Sequence, residues 1–255
     1  MSRSRLLVIS RHQTKLLLSN PGALVIFVII PLLTMVIMKT TQKSALLAGG
    51  YRHVNGAEQA VPGFTAMFAF FWLVFVGRTF FAEHAWGTWD RLQTTASTAE
   101  VIVGKLLPSF VVITAQMVLL FVIGDLALGM NSKGSIATLA ILAPALAICV
   151  LALTFALVSF CRTMNQLDAS SNLLMLVFAS LGGALALTTA LPQWAQTIAP
   201  AIPTHWVMRA TTDVILKGEG LGAVLASAAV LVAFAAGFTT LAMLRFRPTD
   251  QKQIG

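Results

Sequence analysis

Residues 81–108 read FAEHAWGTWDRLQTTASTAEVIVGKLLP, a polar stretch between two apolar segments that are each long enough to cross a bilayer. Its ionisable residues are Glu83, His84, Asp90, Arg91, Glu100 and Lys105. Residues 97–100, Ser-Thr-Ala-Glu, form a capping-box pattern, in which the Ser97 oxygen accepts from the Glu100 amide while the Glu100 carboxylate reaches back. We therefore expect a helix to begin at this box and to continue into the second apolar segment.

The composition is that of an integral membrane protein. Hydrophobic residues make up 57% of the chain and charged residues 10%, against about 25% charged residues in soluble domains. The net charge is +8, but the basic residues lie mainly between apolar segments, which favours anionic lipid headgroups over nucleic acid as partners. Cys149 and Cys161 give neither a disulfide framework nor a metal-site spacing.

Six apolar segments predict six transmembrane helices at about 20 residues each. We place them near residues 22–38, 61–82, 106–128, 136–160, 171–190 and 221–244. Pro31 predicts a kink in the first of them. Residues 1–20 interleave basic and apolar side chains, which predicts a retained helix in the cytoplasmic interface rather than a cleaved signal peptide. The fold class expected is an all-α integral membrane protein with a single transmembrane domain over residues 1–255.

The distribution of lysine and arginine predicts the orientation in the membrane. An even number of spans puts both termini on one side, and cytoplasmic termini place eleven basic residues inside. Six would then lie outside, namely Lys39, Lys43, Arg52, Lys133, Arg209 and Lys217. Both termini and residues 83–105 are therefore predicted to be cytoplasmic.

The two longer outside segments differ in character. Residues 39–60 are polar and have no obvious fold. Residues 191–220 are divided by three prolines and carry Trp194 and Trp206, which suit headgroup depth. We expect short helices that dip into the outer interface, including a helix over residues 205–216 that Gly218 ends and in which Arg209 and Asp213 pair.

The central stretch favours a mechanical role. Residues 84–95 are predicted to form a short helix with Trp86, Trp89 and Leu92 close to one stripe, followed by the capped helix. Two short helices that lie at a membrane face and continue into two spans can transmit force to those spans. The alternative is an ordinary solvated loop, although loops that only connect are usually short.

The same stretch resembles a known family. Glu83, Gly87-Thr88, Leu92, Thr95, Glu100 and the run GKLLP at residues 104–108 resemble the type-2 ATP-binding-cassette (ABC) permeases, the membrane subunits of exporters such as the daunorubicin-resistance type. The resemblance covers the whole chain, including the proline-punctuated segment before the last span. It implies that residues 87–95 form a coupling helix that sits in a groove of a cytoplasmic ATPase. The implied ATPase-coupling residues are Glu83, Gly87, Thr88, Asp90, Arg91, Leu92 and Thr95.

The chain carries no nucleotide-binding loop. The search pattern G-x4-G-K-[ST] finds only Gly104-Lys105 followed by Leu106, with Ala99 in place of the first glycine. No cofactor, metal site or catalytic residue is therefore expected in this chain, and ATP with Mg²⁺ is expected on a separate subunit. Because six spans enclose little space, a second permease chain, identical or related, is expected to complete a pathway.

Aromatic residues mark a candidate substrate pathway. Phe64, Phe68, Phe71 and Phe75 recur at helical spacing on span two, with Trp72 beside them, Arg78 at the inner end, and Phe178 on span five. Such a row of aromatic rings suits flat or hydrophobic substrates, and Arg78 would attract an anionic group of the substrate. The alternative is that the rings face lipid or pack against other spans while Arg78 snorkels to the headgroups.

Small residues on span five predict a close helix–helix contact. Ala179 and Gly183 are four residues apart, as are Gly182 and Ala186, so backbones can approach closely there. We interpret this face as the dimer contact and, with span two, as the wall of the pathway; an intrasubunit packing seam is the alternative. Asp168, after a short cytoplasmic turn, is expected to contact Arg162 or the ATPase.

The resemblance implies a transport subunit rather than an enzyme, in the plasma membrane of a prokaryote. The expected function is the export of a hydrophobic or amphipathic compound, driven by a partner ATPase. Export of a lipid-linked glycan or glycolipid is the alternative within transport. A non-transporting scaffold or sensor subunit is the alternative outside it.

Overall fold

The computed structural model describes residues 3–19, 21–85 and 97–245, and every structural statement below refers to these ranges. The regular elements are helices, joined by turns and short 3₁₀ segments. In chain order they are α1 Arg3–Leu18, α2 Pro21–Ala48, α3 Ala57–Ala69, α4 Trp72–Ala85, α5 Thr98–Leu128, α6 Leu142–Phe160, α7 Met164–Leu181, α8 Gln193–Ile198, α9 Pro203–Ile215 and α10 Leu221–Arg245. The interfacial helix predicted over residues 1–20 corresponds to α1.

Five segments of the described chain are long and apolar enough to cross a membrane. They are Val25–Ala48, Ala57–Glu83, Thr98–Leu128, Ala137–Phe160 and Leu221–Arg245. They correspond to five of the six predicted spans. The remaining prediction, span five at residues 171–190, falls on α7, which is not among these five.

The bounds of α7 correct the prediction of residues 171–190. The Thr163 side chain accepts from the Gln166 amide and starts the helix early, with several polar residues in its first turns. The helix ends at Leu181, before Gly182 and Gly183, and Gly183 has a φ of +89°. The span predicted from hydropathy alone, residues 171–190, therefore lies several residues C-terminal to the observed helix.

Helix α2 is longer than predicted and continues through Pro31 to Ala48, so half of the segment predicted to lack a fold is helical. A proline has no N–H, which leaves the carbonyl group four residues earlier without its helical donor. That carbonyl belongs to Phe27, and the Gln116 Nε2 atom of α5 donates to it at 2.9 Å. A polar side chain from another helix thus compensates for the proline.

Span two consists of two helices rather than one, a feature that the sequence analysis did not predict. At Phe70 and Phe71 the amides donate to carbonyls three residues earlier, at 3.1 and 3.2 Å. This tighter turn changes the phase of the helix between α3 and α4. Consequently Phe64 and Phe68 are buried, whereas Phe71 and Phe75 are half-buried.

Helix α6 is the centre of the bundle and is buried along most of its length, packed against α4, α5 and α10. Helix α3 packs against α2, α5 and α9, and α1 lies against α5. Helix α2 has large exposed apolar side chains, such as Ile26, Leu33 and Ile37. This distribution is expected where lipid rather than water surrounds the outer helices.

At one end of the bundle, a buried carboxylate joins two loops. Glu58, 2% exposed, accepts from the amides of Asn55, Gly56 and Asn131 at 2.9 to 3.3 Å. The sequence analysis missed this residue because it placed residues 39–60 in an irregular segment.

The short helices predicted in residues 191–220 are present as α8 and α9, with a 3₁₀ turn between them. The predicted helix over residues 205–216 corresponds to α9, and Gly218 follows it with a φ of +77°. The predicted Arg209–Asp213 pair is confirmed at 3.9 Å. Lys217 is a closer partner of Asp213, at 2.6 Å.

Candidate functional site

The candidate site is the end of the bundle at which α4 ends and α5 begins. Residues 86–96, which link the two helices, lie outside the described residues. The predicted coupling residues Gly87, Thr88, Asp90, Arg91, Leu92 and Thr95 are among them, so their roles stay predictions. The flanking helices and Glu83 are described, and they show how this segment is attached to the membrane domain.

The capping box at the start of α5 is confirmed. The Ser97 oxygen accepts from the Glu100 amide at 3.3 Å, and the Ser97 amide donates to the Glu100 carboxylate at 3.0 Å. Glu100 is 4% exposed, so the cap is enclosed by neighbouring elements. The residue at which the central segment re-enters the bundle is therefore fixed by two reciprocal hydrogen bonds.

A buried ion pair joins the end of α4 to the start of α5. Lys105 is 2% exposed, and its Nζ atom lies 2.8 Å from the Glu83 carboxylate. The same ammonium group donates to the Thr79 carbonyl at 3.0 Å and lies 4.4 Å from the centre of the Phe80 ring. We call these four residues the clasp. An ammonium group buried without a partner is very costly, so the clasp holds the two helix ends together.

The clasp was missed by the sequence analysis, although both charged residues belong to the motif quoted there. The pair spans the central segment and is not a local helix contact. A usable signal was present: a lysine inside an apolar span needs an anionic partner at the same depth, and Glu83 is the acidic residue at the end of the preceding span.

A second ion pair joins α4 to α7. Arg78 Nε lies 3.0 Å from Asp168 Oδ1, and a second guanidinium nitrogen contacts Oδ2, so the pair is bidentate. The sequence analysis expected Arg78 to attract an anionic group and Asp168 to contact Arg162 or the ATPase. In the structure these two residues compensate each other. An anionic substrate would have to compete with Asp168 for Arg78.

Helix α1 docks on α5 at the GKLLP motif. Pro108 frees the Gly104 carbonyl, and the Ser10 hydroxyl of α1 donates to it at 3.1 Å. A Cβ atom at Gly104 would lie 2.8 Å from the Ile9 side chain, so glycine makes room for α1. The motif therefore has three structural roles: space at Gly104, a charge partner at Lys105 and a free acceptor created by Pro108.

These contacts connect α1, α4, α5 and α7 around the ends of the central segment. Helix α4 is attached to α5 by the clasp and to α7 by the Arg78–Asp168 pair, while the turn at residues 70–71 separates it from α3. A displacement of residues 86–96 would therefore act on several helices together. The turn at residues 70–71 interrupts the helical hydrogen bonding between α3 and α4.

The residues predicted to line a substrate pathway are packed inside the chain to different degrees. Phe64, Phe68 and Trp72 are buried, and the Trp72 indole donates to Gln116. Phe178 is half-buried with its ring 5.4 Å from that of Phe70. The row of aromatic rings thus contributes to packing, which was the alternative interpretation, and its role in a pathway stays a prediction.

The small residues predicted at a dimer contact lie mostly within the chain. Ala179, Gly182 and Gly183 are buried, and a Cβ atom at Gly182 would lie 1.8 Å from the Thr204 hydroxyl of α9. They form an intrasubunit seam with α9, the alternative left open by the sequence. Ala186 is half-buried, and a dimer contact there stays a prediction.

Comparison with known proteins identifies the family. The family described as "ABC-2 family transporter protein" matches residues 30–244. The chain is also similar to the linearmycin resistance permease protein of Bacillus subtilis (strain 168), with 27% identity over 188 residues. The match covers 71% of this chain and 49% of that protein, so the chain spans about half the length of this relative. The chain belongs to the ABC-2 family of transporter proteins and is a multi-pass membrane permease.

Proposed function

We propose that this permease is the membrane subunit of an ATP-driven exporter that moves a hydrophobic or amphipathic compound out of a prokaryotic cell. Family membership supports a transport role, and the printed name of the relative, a resistance permease, favours efflux. ATP and Mg²⁺ bind to a separate cytoplasmic ATPase subunit. A second permease chain completes the pathway, both termini are cytoplasmic, and the basic face of α1 contacts lipid headgroups.

The observation that carries this proposal is the clasp. Glu83 and Lys105 flank residues 86–96 in the sequence, and their ion pair joins the end of α4 to the start of α5. Because breaking a buried ion pair is costly, the clasp would keep the two helix ends together when the segment between them is pushed. Movement of residues 87–95 would be passed to α4 and α5 as one unit.

The mechanism follows from these attachments. ATP binding brings two ATPase subunits together, and residues 87–95 carry this motion to the clasp. Helix α4 then tilts at the turn of residues 70–71 and moves α7 through the Arg78–Asp168 pair. Spans two and five change the access of the pathway, so the chain itself performs no covalent chemistry.

Export of a glycolipid or lipid-linked glycan by the same architecture is the second candidate for the cargo. The two substrate classes differ in their response to loss of one aromatic ring. Export of a small rigid compound is expected to fail in Phe75→Ala, because one ring forms much of its contact surface. A long-chain substrate spreads its contacts and is expected to tolerate the change.

The test is co-purification from native membranes, with ATP hydrolysis assayed on the purified material. We expect an ATPase subunit to accompany the wild-type chain and to be released by Arg91→Glu. Arg52→Glu is the matched control, because Arg52 lies in the loop after α2, at the opposite end of the bundle from the clasp. A chain that purifies alone and without ATP hydrolysis would favour a scaffold or sensor and would overturn the proposal.

A further inference from the structure

A small cavity with several polar side chains in its wall lies at the end of the bundle opposite to the clasp. It has a volume of about 180 Å³ and is enclosed by the start of α3, the turn after α7 and helix α9. The polar residues in its wall include Gln59, Thr188, His205, Arg209, Thr212 and Asp213. At about 30 Å³ per water molecule, the cavity has room for a group the size of a single six-membered ring.

The charged groups of this cavity balance one another. Asp213 is 7% exposed and contacts Lys217 at 2.6 Å and Arg209 at 3.9 Å. The hydrogen bond to Asp213 raises the pKa of Lys217, so Lys217 stays charged at neutral pH. Glu219 is a second acidic residue near Lys217. Arg209 and Lys217 are the cations of the wall and Asp213 is its anion, while Glu219 lies beside the wall and offsets the remaining positive charge.

The rest of the wall offers neutral donors and acceptors close together. The Gln59 side chain is buried, and its Nε2 atom donates to the Gly183 carbonyl at 2.7 Å. Burial and the neighbouring Arg209 lower the pKa of His205, which is therefore neutral and has one donor and one acceptor nitrogen. Thr188 and Thr212 add hydroxyl groups, which both donate and accept.

The apolar part of the wall and the mouth complete the site. Leu187 and Met208 line the cavity beside the polar groups and offer contact to the carbon face of a ring. The side chains of Arg209 and Lys217 are 57% and 53% exposed, so the mouth lies between them. A ligand can enter there without disturbing the buried residues.

We propose that this cavity binds the hydroxyl-rich head, a sugar or polyol, of an amphipathic molecule. Each hydroxyl group of such a head needs a donor and an acceptor at short range, and the wall supplies both from neutral side chains. The identification of this ligand as part of a transported compound rests on the proposed transport function. The binding of the ligand to the cavity does not depend on that function.

The test measures binding of tritium-labelled octyl glucoside to the full chain in lipid nanodiscs, below the micelle concentration and without ATPase. Two competitors carry the same alkyl chain as octyl glucoside. Octyl pentaethylene glycol ether has a neutral head that is poor in hydroxyls, and octyl sulfate has an anionic head. We expect saturable binding of the label. Excess unlabelled octyl glucoside should displace the label more strongly than either competitor does. Free glucose should displace the label only weakly.

Variants locate the binding site. Asp213→Asn keeps the shape of the side chain but weakens the acceptor, and we expect binding to fall about tenfold. Thr212→Val is isosteric, removes one hydroxyl from the wall, and should weaken binding by a smaller factor without affecting folding. Thr240→Val is the matched control, because its exposed hydroxyl donates within α10 to the Ala236 carbonyl.

Three results would overturn the inference. Unchanged binding in Thr212→Val and in folded Asp213→Asn would place the ligand elsewhere. Equal displacement by the ethylene glycol ether would show that only the alkyl chain is bound, and stronger displacement by octyl sulfate would indicate an anion site. Displacement by glucose as strong as by octyl glucoside would assign the cavity to free sugar. Because the ATPase is not needed, failure here is separate from failure of the transport proposal.

Discussion

At the scale of single residues, two prolines explain polar contacts that hydropathy alone would not predict. Pro31 frees the Phe27 carbonyl for Gln116, and Pro108 frees the Gly104 carbonyl for Ser10. In a membrane interior, an unpaired carbonyl finds no water and must be satisfied by protein. A proline in a predicted span is therefore a reason to look for a polar side chain on a neighbouring helix.

The first prediction concerns Gln116, which also accepts from the Trp72 indole. Gln116→Leu leaves a carbonyl and an indole N–H without partners, so we expect a loss of about 1–2 kcal/mol in the free energy of unfolding. Thermal unfolding of the two variants and the wild type in nanodiscs measures this loss of stability. Thr34→Val on α2 is the control, because the Thr34 hydroxyl is exposed and bonds within its own helix. Equal stability of the two variants would contradict the assignment.

The second prediction concerns the clasp. Glu83→Ala leaves the buried Lys105 ammonium without its carboxylate, and we expect a destabilisation of about 3–5 kcal/mol. Replacement of Lys105 by Met in the same chain removes the uncompensated charge and should restore most of the loss. Arg78→Gln is a comparison, because the Arg78–Asp168 pair is more exposed and should contribute about 0–1 kcal/mol. A double variant no more stable than Glu83→Ala would argue against the buried pair.

The third prediction concerns pH. Burial and Arg209 lower the pKa of His205 below its usual 6.5, so the unfolded chain binds a proton at higher pH than the folded chain. The contribution of neutral His205 is complete above about pH 6.5 and is lost as the pH falls towards the lowered pKa. Thermal unfolding between about pH 7.5 and 5 should thus show a larger drop for the wild type than for His205→Asn. Identical drops would exclude this residue as the source.

At the scale of elements, the sequence predicted where helices exist better than where they begin and end. Capping signals were reliable: Ser97 with Glu100 starts α5, and Gly218 follows α9, as expected. Hydropathy was less reliable, because it recognises lipid-facing apolar residues and not the polar first turns of α7. The division of span two at residues 70–71 could not be predicted, since residues 64–76 contain no proline or glycine that would mark it.

The fourth prediction concerns the docking of α1 on α5. Gly104→Val introduces a side chain where Ile9 packs, so α1 should detach and lose its helical structure, and trypsin should cleave faster at the exposed residues Arg11 and Lys15. Ile9→Ala in the same chain makes room again and should restore protection. Mass spectrometry of limited trypsin digests follows the cleavage. Unchanged cleavage in Gly104→Val would show that α1 is held by other contacts.

At the scale of the whole molecule, the membrane class, the helical fold and the family were accessible from the sequence, because composition, periodicity and one motif carry them. The contacts of the candidate site could not be predicted from the sequence. Glu83 and Lys105 were both noticed, but their pairing depends on how α4 and α5 pack. Arg78 was assigned to substrate because Asp168, its partner, lies 90 residues away in the chain. Charge pairs between spans are set by the tertiary fold, which a single sequence does not reveal.

The central claim is that residues 87–95 transmit motion from a bound ATPase to the clasp. The most direct measurement is ATP-driven uptake of a hydrophobic dye into inside-out vesicles that contain this chain with its co-purifying ATPase. Gly87→Pro should leave membrane insertion, assembly and ATP hydrolysis intact and abolish dye uptake, because the segment can no longer carry the motion. Arg52→Glu should transport like the wild type. Dye uptake retained in Gly87→Pro would contradict the account.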